Sequence, residues 1–322
     1  MSEQNPTLDA QEELAILGYR IDRANGERLV RVSDGKPFDF NVKPNNHSFN
    51  QRHYEKVGDV LTHIICNRLV RESGLVAHTV PVDAHDNEPC STIYMSADAL
   101  SSKKPLLLLV PGSNIQVGQW ARKIVINENV YRGSMLEYVD RAHSRGWVVI
   151  VLNNNLNSVV GKDGRSESYV RGSESPEKHV LYAWKNFVSR NNDGVTTDEN
   201  ADNSGQRRVV AVAHSYGGAC IHSLCTGIGR DQLMRDGLVG VALTDSVHAF
   251  AAGFNRVDDN GGGQYFAKIA VNWICRNTPL DTKSGVDRTG VKMVSAGTLQ
   301  HDQSTLSAID SVFKFLEDSI IS

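Results

Sequence analysis

The chain contains no Cys-x-x-Cys pair. Its cysteines, Cys66, Cys90, Cys220, Cys225 and Cys275, are odd in number, and the step from Cys220 to Cys225 fits zinc-ligand spacing poorly. That pattern speaks against a disulfide framework or a zinc module and for buried, reduced thiols of an intracellular protein. Excess charge is also missing. Lys and Arg number 34 against 37 Asp and Glu, a formal net charge of −3, which argues against a sequence-independent grip on nucleic acid. No apolar run approaches the roughly 20 residues of a membrane helix; the longest are Leu106–Val110 and Trp147–Leu152. The polar, acidic start MSEQNPTLDAQEEL lacks the apolar stretch of a signal peptide, and no internal repeat is visible. What is present is 322 residues, 40% hydrophobic and 22% charged, enough for a large core that needs no staple. A cytoplasmic and/or nuclear protein without membrane association is expected.

Apolar runs alternate with helical patterns along most of the chain. Residues 49–73 space Tyr54, Val57, Leu61, Ile64, Ile65 and Leu69 as an amphipathic helix closed by Gly74. Strands are expected at His78–Asp83, Cys90–Ser96, Pro105–Val110, Trp147–Leu152, Arg208–Ala213, Val239–Leu243 and Val291–Ser295. Helices are expected at Ser134–Ser144, Pro176–Ser189, Ala219–Leu224, Gln264–Arg276 and Thr305–Asp318. Continuous rather than alternating apolar strands imply a sheet covered on both faces, so the fold class is α/β with a mostly parallel central sheet flanked by helices. Turn chemistry at Ala24-Asn25-Gly26 and Asp34-Gly35-Lys36-Pro37 suggests a hairpin-like arm over residues 1–45, appended to one domain over 46–322. The polar, aperiodic stretches 157–173, 191–207 and 252–263 are expected as flexible loops.

The segment RRVVAVAHSYGGACIHSL, residues 207–224, carries the chemistry. A buried strand runs into His214-Ser215-Tyr216-Gly217-Gly218 and straight on into a helix, the context of the α/β-hydrolase nucleophile elbow G-x-S-x-G. The strained serine requires small residues two positions to either side, here Ala213 and Gly217. The other Ser-x-Gly triplets are excluded, Ser144 by its context although Ala142 passes that test. Ser33 and Ser295 have Arg31 and Met293 where a small residue is needed, and Ser144 lies between a helix and the next strand, the reverse order.

A serine nucleophile needs a base and an acid that orients the base, in the chain order Ser, Asp or Glu, His. Asp245 follows the strand Val239–Leu243, and His301 follows Val291–Ser295, both near strand ends where ligands sit in open α/β sheets. His248 competes as base, and Asp281 and Asp287 compete as acids. His214 is expected to pack or hydrogen-bond below the elbow, and His222 to be a surface or core histidine. The oxyanion of acyl transfer would be met by the backbone N–H of Tyr216 and by that of Gly112 or Ser113, in the turn after PLLLLV; Pro111 has no N–H to give. Trp120, beside Arg122 and Lys123, either lines the mouth of the site or packs inward. No cofactor or metal is called for, and a small acyl compound is the expected substrate.

Seven segments, in order from about residue 18 to 318, resemble the Argonaute-binding-protein-2 domain family, most nearly its family-with-sequence-similarity-172 members. They are GKPFDFN (35–41), HTVPVDAHDNEP (78–89), IYMSADAL (93–100), GQWARKIVINE (118–128), AHSYGG (213–218), LTDSVH (243–248), and VSAGT with His301. The resemblance implies an α/β-hydrolase fold whose serine nucleophile maps onto Ser215. It also implies partners among Argonaute, RNA-processing and chromatin proteins, in RNA silencing or splicing regulation. The sequence departs from the animal members in carrying Pro111-Gly112 where they have His-Gly, and only the short loop 157–173 where they have a lysine-rich insertion. A Ser215–Asp245–His301 serine hydrolase and a non-catalytic scaffold built on the same fold are the two expectations to be weighed.

Overall fold

The structure is a computed structural model that describes residues 9–161, 164–189, 206–251 and 260–322. Strands β1 (Tyr19–Asp22) and β2 (Arg28–Arg31) form an antiparallel hairpin behind a short helix, Ala10–Ile16. The main sheet begins with β3 (Leu75–Val80), β4 (Ser91–Ser96), β5 (Leu106–Val110) and β6 (Val148–Val151). A detached hairpin of β7 (Ser158–Val160) and β8 (Glu167–Tyr169) follows, and the sheet then resumes. Its later strands are β9 (Val209–His214), β10 (Leu238–Thr244), β11 (Ala270–Ile274), β12 (Lys283–Val286) and β13 (Lys292–Ser295).

The spatial order is β12-β13-β11-β10-β9-β5-β6-β4-β3. From β6 to β13 all neighbours run parallel, while β4 is antiparallel to β3 and β6, and β12 closes the far edge antiparallel. Every residue of β5, β6 and β9 is buried. Successive side chains go to opposite faces of the sheet. Leu107, Leu109, Val149, Val151, Val210 and Val212 join one core, which includes Leu61, Ile65 and Leu69 of the helix His47–Arg71 and Val312, Phe313 and Leu316 of the helix Ile309–Ile321. Leu106, Leu108, Val110, Val148, Ile150, Val209 and Ala211 join the other, against Cys220, Ile221 and Leu224 of the helix Tyr216–Ile228. This two-faced burial is the physical reason the strands read as unbroken apolar runs.

The first core extends into the N-terminal segment through Leu14, Tyr19, Leu29 and Phe38. The contact is also polar: the buried Arg68 guanidinium donates to both carboxylate oxygens of Glu27, at 2.6 and 3.1 Å, and to Glu72 at 2.8 Å. A planar guanidinium matched to a carboxylate fixes orientation as well as charge.

Three differences from the sequence expectation have physical causes. Residues Gln264–Arg276, expected as one helix, divide into the helix Gly262–Ile269 and strand β11. Short apolar runs fit either period, and here the sheet claims the β-branched and aromatic AVNWI. The stretch 157–173 carries the β7–β8 hairpin in place of a plain loop, and Gly262 and Gly263, expected as loop, open the helix that precedes β11. Most of 191–207 and 252–259 lie outside the described residues.

The chain enters β5, crosses to β6 on one side of it, then returns to β9 on the other. Such a reversal opens a crevice at the carboxyl ends of the strands, where ligands bind in open α/β sheets. Both the Pro111–Ser113 turn, after β5, and Ser215, after β9, sit there.

Candidate active site

Ser215 joins β9 to the helix Tyr216–Ile228 with φ +53° and ψ −119°. A non-glycine residue held at positive φ costs on the order of 1–3 kcal/mol and needs the surroundings to enforce it. Neighbouring chain supplies that enforcement. The Ser215 N–H donates to Thr244 O at 3.0 Å, and its carbonyl accepts from Val247 N–H at 3.2 Å, which ties the elbow to the end of β10. The close approach also explains the glycines: a Cβ on Gly217 would stand 2.6 Å from Val110 O and 2.7 Å from Pro111 O. Gly217→Ala must therefore displace backbone, and we expect it to lower stability by about 1–3 kcal/mol, read as a shifted midpoint in chemical denaturation; an unchanged midpoint would contradict the elbow packing.

Asp245, the first residue past β10, also takes a positive φ, +45°. Its Oδ1 accepts from the Cys275 backbone N–H at 3.0 Å, and its Oδ2 lies 2.7 Å from His301 Nδ1. His301 opens a 3₁₀ turn after β13. A carboxylate can only accept, so Nδ1 carries the imidazole proton and Nε2 is left with the lone pair that a general base uses. Burial pushes the Asp245 carboxyl up, but the His301 hydrogen bond and the Cys275 N–H outweigh it and bring it down to about 2. The same hydrogen bond raises His301 above the ordinary histidine value, with burial pulling the other way.

His214 lies under this pair. Its ring centroid is 4.6 Å from that of His301, with 35° between the planes. His214 is buried and its Nδ1 donates to Thr244 O at 3.0 Å, below the elbow as the strand alternation suggests; the ring contact with His301 was not legible in the sequence. Burial, reinforced by the neighbouring His301, pushes His214 down to about 4, so it is neutral near pH 7. Among the described residues no hydrogen bond joins Ser215 to His301, and catalytic hydrogen bonds of this kind commonly tighten only with substrate in place.

Of the candidate oxyanion donors, Gly112 is so close to the serine that a Cβ on it would sit 3.0 Å from Ser215 Cβ, while the neighbouring Ser113 is exposed. The Tyr216 N–H belongs to the first helical turn, where backbone donors have no partner within the helix. The Tyr216 hydroxyl donates to Glu177, whose other oxygen accepts from Ser175 Oγ at 2.8 Å.

The competing residues go elsewhere. His248 is buried, with Nε2 2.8 Å from Asp287 Oδ2, off the hydrogen-bond axis, and Nδ1 2.9 Å from Ser246 Oγ. Asp281 accepts from Trp273 Nε1 at 2.9 Å and from Ser311. His222 packs against both His248 and Phe266, which also touch each other. Trp120 faces inward, buried with its ring 5.1 Å from that of Tyr138. Sequence reasoning missed the Cys275 N–H, because a backbone donor from the adjacent strand leaves no mark on residue type.

A mostly parallel sheet in this strand order, with a strained serine between β9 and the following helix, defines an α/β-hydrolase-like fold. The model of the Arb2 domain matches residues 10–280, and the chain belongs to that family. It is 30% identical to the cotranscriptional regulator ARB2A homolog of Xenopus tropicalis, over 99% of this chain and 82% of that protein. It is 28% identical to the cotranscriptional regulator ARB2A of Homo sapiens, over 99% of this chain and 83% of that one. Solved structures similar to it include Est1E from Butyrivibrio proteoclasticus with bound ferulic acid, at TM-score 0.37 and 10% identity, covering 71% of this chain and 95% of that one. Esterase Est22 matches at TM-score 0.38 and 10% identity, covering 87% and 88%. Among the described residues no helix is long and apolar enough to cross a membrane.

Proposed function

We propose that the protein is a serine hydrolase acting on an ester, thioester or amide. Ser215 is the nucleophile, His301 the general base and acid, and Asp245 the residue that orients His301. The 2.7 Å Asp245–His301 hydrogen bond, beside a strained serine elbow, carries this reading. In the reaction Ser215 Oγ attacks the carbonyl carbon while His301 Nε2 takes its proton. The oxyanion is met by the Tyr216 N–H together with that of Gly112 or Ser113, and His301 passes the proton to the leaving group. Water, activated in turn by His301, releases the acyl group. No cofactor enters these steps. The test is a fluorophosphonate probe on the folded protein: a covalent adduct on Ser215 is expected, and its absence, with no turnover across ester and thioester panels, overturns the reading.

The relatives named as cotranscriptional regulators favour a second reading, in which the fold serves as a non-catalytic scaffold in nuclear regulatory complexes. Argonaute, RNA-processing and chromatin proteins are the partner classes this reading considers, gripped through protein contacts, since a net charge of −3 gives little hold on nucleic acid. Here the segment 1–45 acts as an arm on the hydrolase-like body over 46–322.

A further inference from the structure

Two asparagines just past β6 hold the peptide planes that carry the second oxyanion donor. Asn154 Nδ2 donates to Pro111 O at 3.3 Å. Asn155 Nδ2 donates to Gly112 O at 2.7 Å and to Ile115 O at 2.9 Å, and Asn155 Oδ1 accepts from Asn114 N–H at 3.2 Å. Both peptides concerned are trans. In a planar trans peptide the C=O and N–H point in opposite directions. The Pro111 carbonyl shares its plane with the Gly112 N–H, and the Gly112 carbonyl shares its plane with the Ser113 N–H. Drawing both carbonyls toward the asparagines therefore turns both N–H groups the other way, in a turn that rests on Ser215 through Gly112.

Fold stability alone accounts poorly for this arrangement. Asn154 is fully buried, its one hydrogen bond into the turn is long, and its Oδ1 has no partner among the described residues. An orphaned buried carbonyl is costly to keep. Asn155 makes three bonds to the stretch Gly112–Ile115, which contains no regular secondary structure to hold it by itself.

We propose that Asn154 and Asn155 are positioning residues of the oxyanion hole, fixing the N–H groups of Gly112 and Ser113 toward the oxygen of the tetrahedral intermediate. The proposal rests on the serine-hydrolase reading above. Neither asparagine need touch substrate, so the effect belongs to the transition state: kcat should fall while KM stays level.

The experiment is steady-state hydrolysis of a p-nitrophenyl ester by the full chain and by Asn155→Asp. The substitution keeps the size of the side chain and the acceptor for Asn114 N–H, but has no N–H for the Gly112 and Ile115 carbonyls. Expected is a loss in kcat on the order of 10²-fold, with KM within about threefold of wild type and an unchanged adduct site. Asn155→Gln, which restores an amide donor, should regain part of the loss. If Asn155→Asp does not fold, Asn155→Ser, too short to reach Gly112 O, carries the same readout. A kcat equal to wild type, or a raised KM at unchanged kcat, overturns the positioning role and leaves the serine-hydrolase reading intact. A wild-type protein that neither labels nor turns over overturns that reading and this one with it.

Discussion

Ser215→Ala is expected to remove covalent labelling entirely and to reduce hydrolysis of a responsive ester by on the order of 10⁶-fold, the scale seen when a triad's nucleophile is deleted. The size follows from the role proposed for the residue: without Oγ there is no acyl-enzyme, and only binding and the oxyanion donors remain. The fold should survive. Alanine at φ +53° is strained much as serine is, the neighbours Gly217 and Ala213 are untouched, and the bonds to Thr244 and Val247 are made by backbone. Equal thermal unfolding of the two proteins alongside the lost turnover is the expected pair of results. The variant also separates the two proposed readings of the fold. If Ser215→Ala captures the same proteins from cells as wild type and rescues a null cell, the hydrolase chemistry is dispensable; if it captures them and fails to rescue, the chemistry is what the cell requires.

Asp245→Asn is expected to lower kcat on the order of 10⁴-fold. An amide facing Nδ1 no longer requires a proton there, so His301 loses both its correct tautomer and the charge that stabilises the imidazolium. The pH profile should move as well. His301 must be neutral to act as base, and the Asp245 hydrogen bond raises its pKa above 6.5, so wild-type kcat/KM should climb along an acid limb centred above that value. With the carboxylate gone, burial lowers the pKa of His301 against only the smaller upward pull of Asp302, so the residual activity of the variant should have its acid limb at lower pH. A limb that stays in place would mean that another group sets it. The stability linkage has two signs. His301, raised on folding, contributes below pH 6.5 and loses that contribution as pH climbs through its folded value. Asp245, lowered to about 2 from 3.8, contributes above 3.8 and loses it as pH falls toward 2. The pair therefore supports the fold most between about pH 4 and 6.5.

The elements that sequence reveals best here are those buried on both faces. The runs PLLLLV, WVVIVL and RVVAVA became β5, β6 and β9 with boundaries within a residue or two. The elbow was legible because its sterics constrain residue type: only small residues fit where Gly217 meets Val110 O. Strand β11 was hidden because Tyr265, Phe266 and Ile269, on the preceding helix, continue smoothly into Val271 and Trp273. Position after a strand end singled out Asp245 and His301, but nothing in residue identity could show Nδ1 facing Oδ2 across 56 residues of chain. The asparagines at 154 and 155 went unnoticed in the sequence, because their partners are backbone carbonyls, which every residue possesses.

His214 bears on how the site handles charge. Two imidazoles in ring contact could in principle trade a hydrogen ion or split a positive charge between them. Here the lower ring is sealed from water, its Nδ1–H is committed to Thr244, and its affinity for a further proton is pushed down to about 4. The upper ring alone is therefore free to change state in the neutral range. In the proposed reaction the proton taken from Ser215 therefore stays on one ring, which faces a carboxylate on one side and a neutral aromatic cushion beneath it.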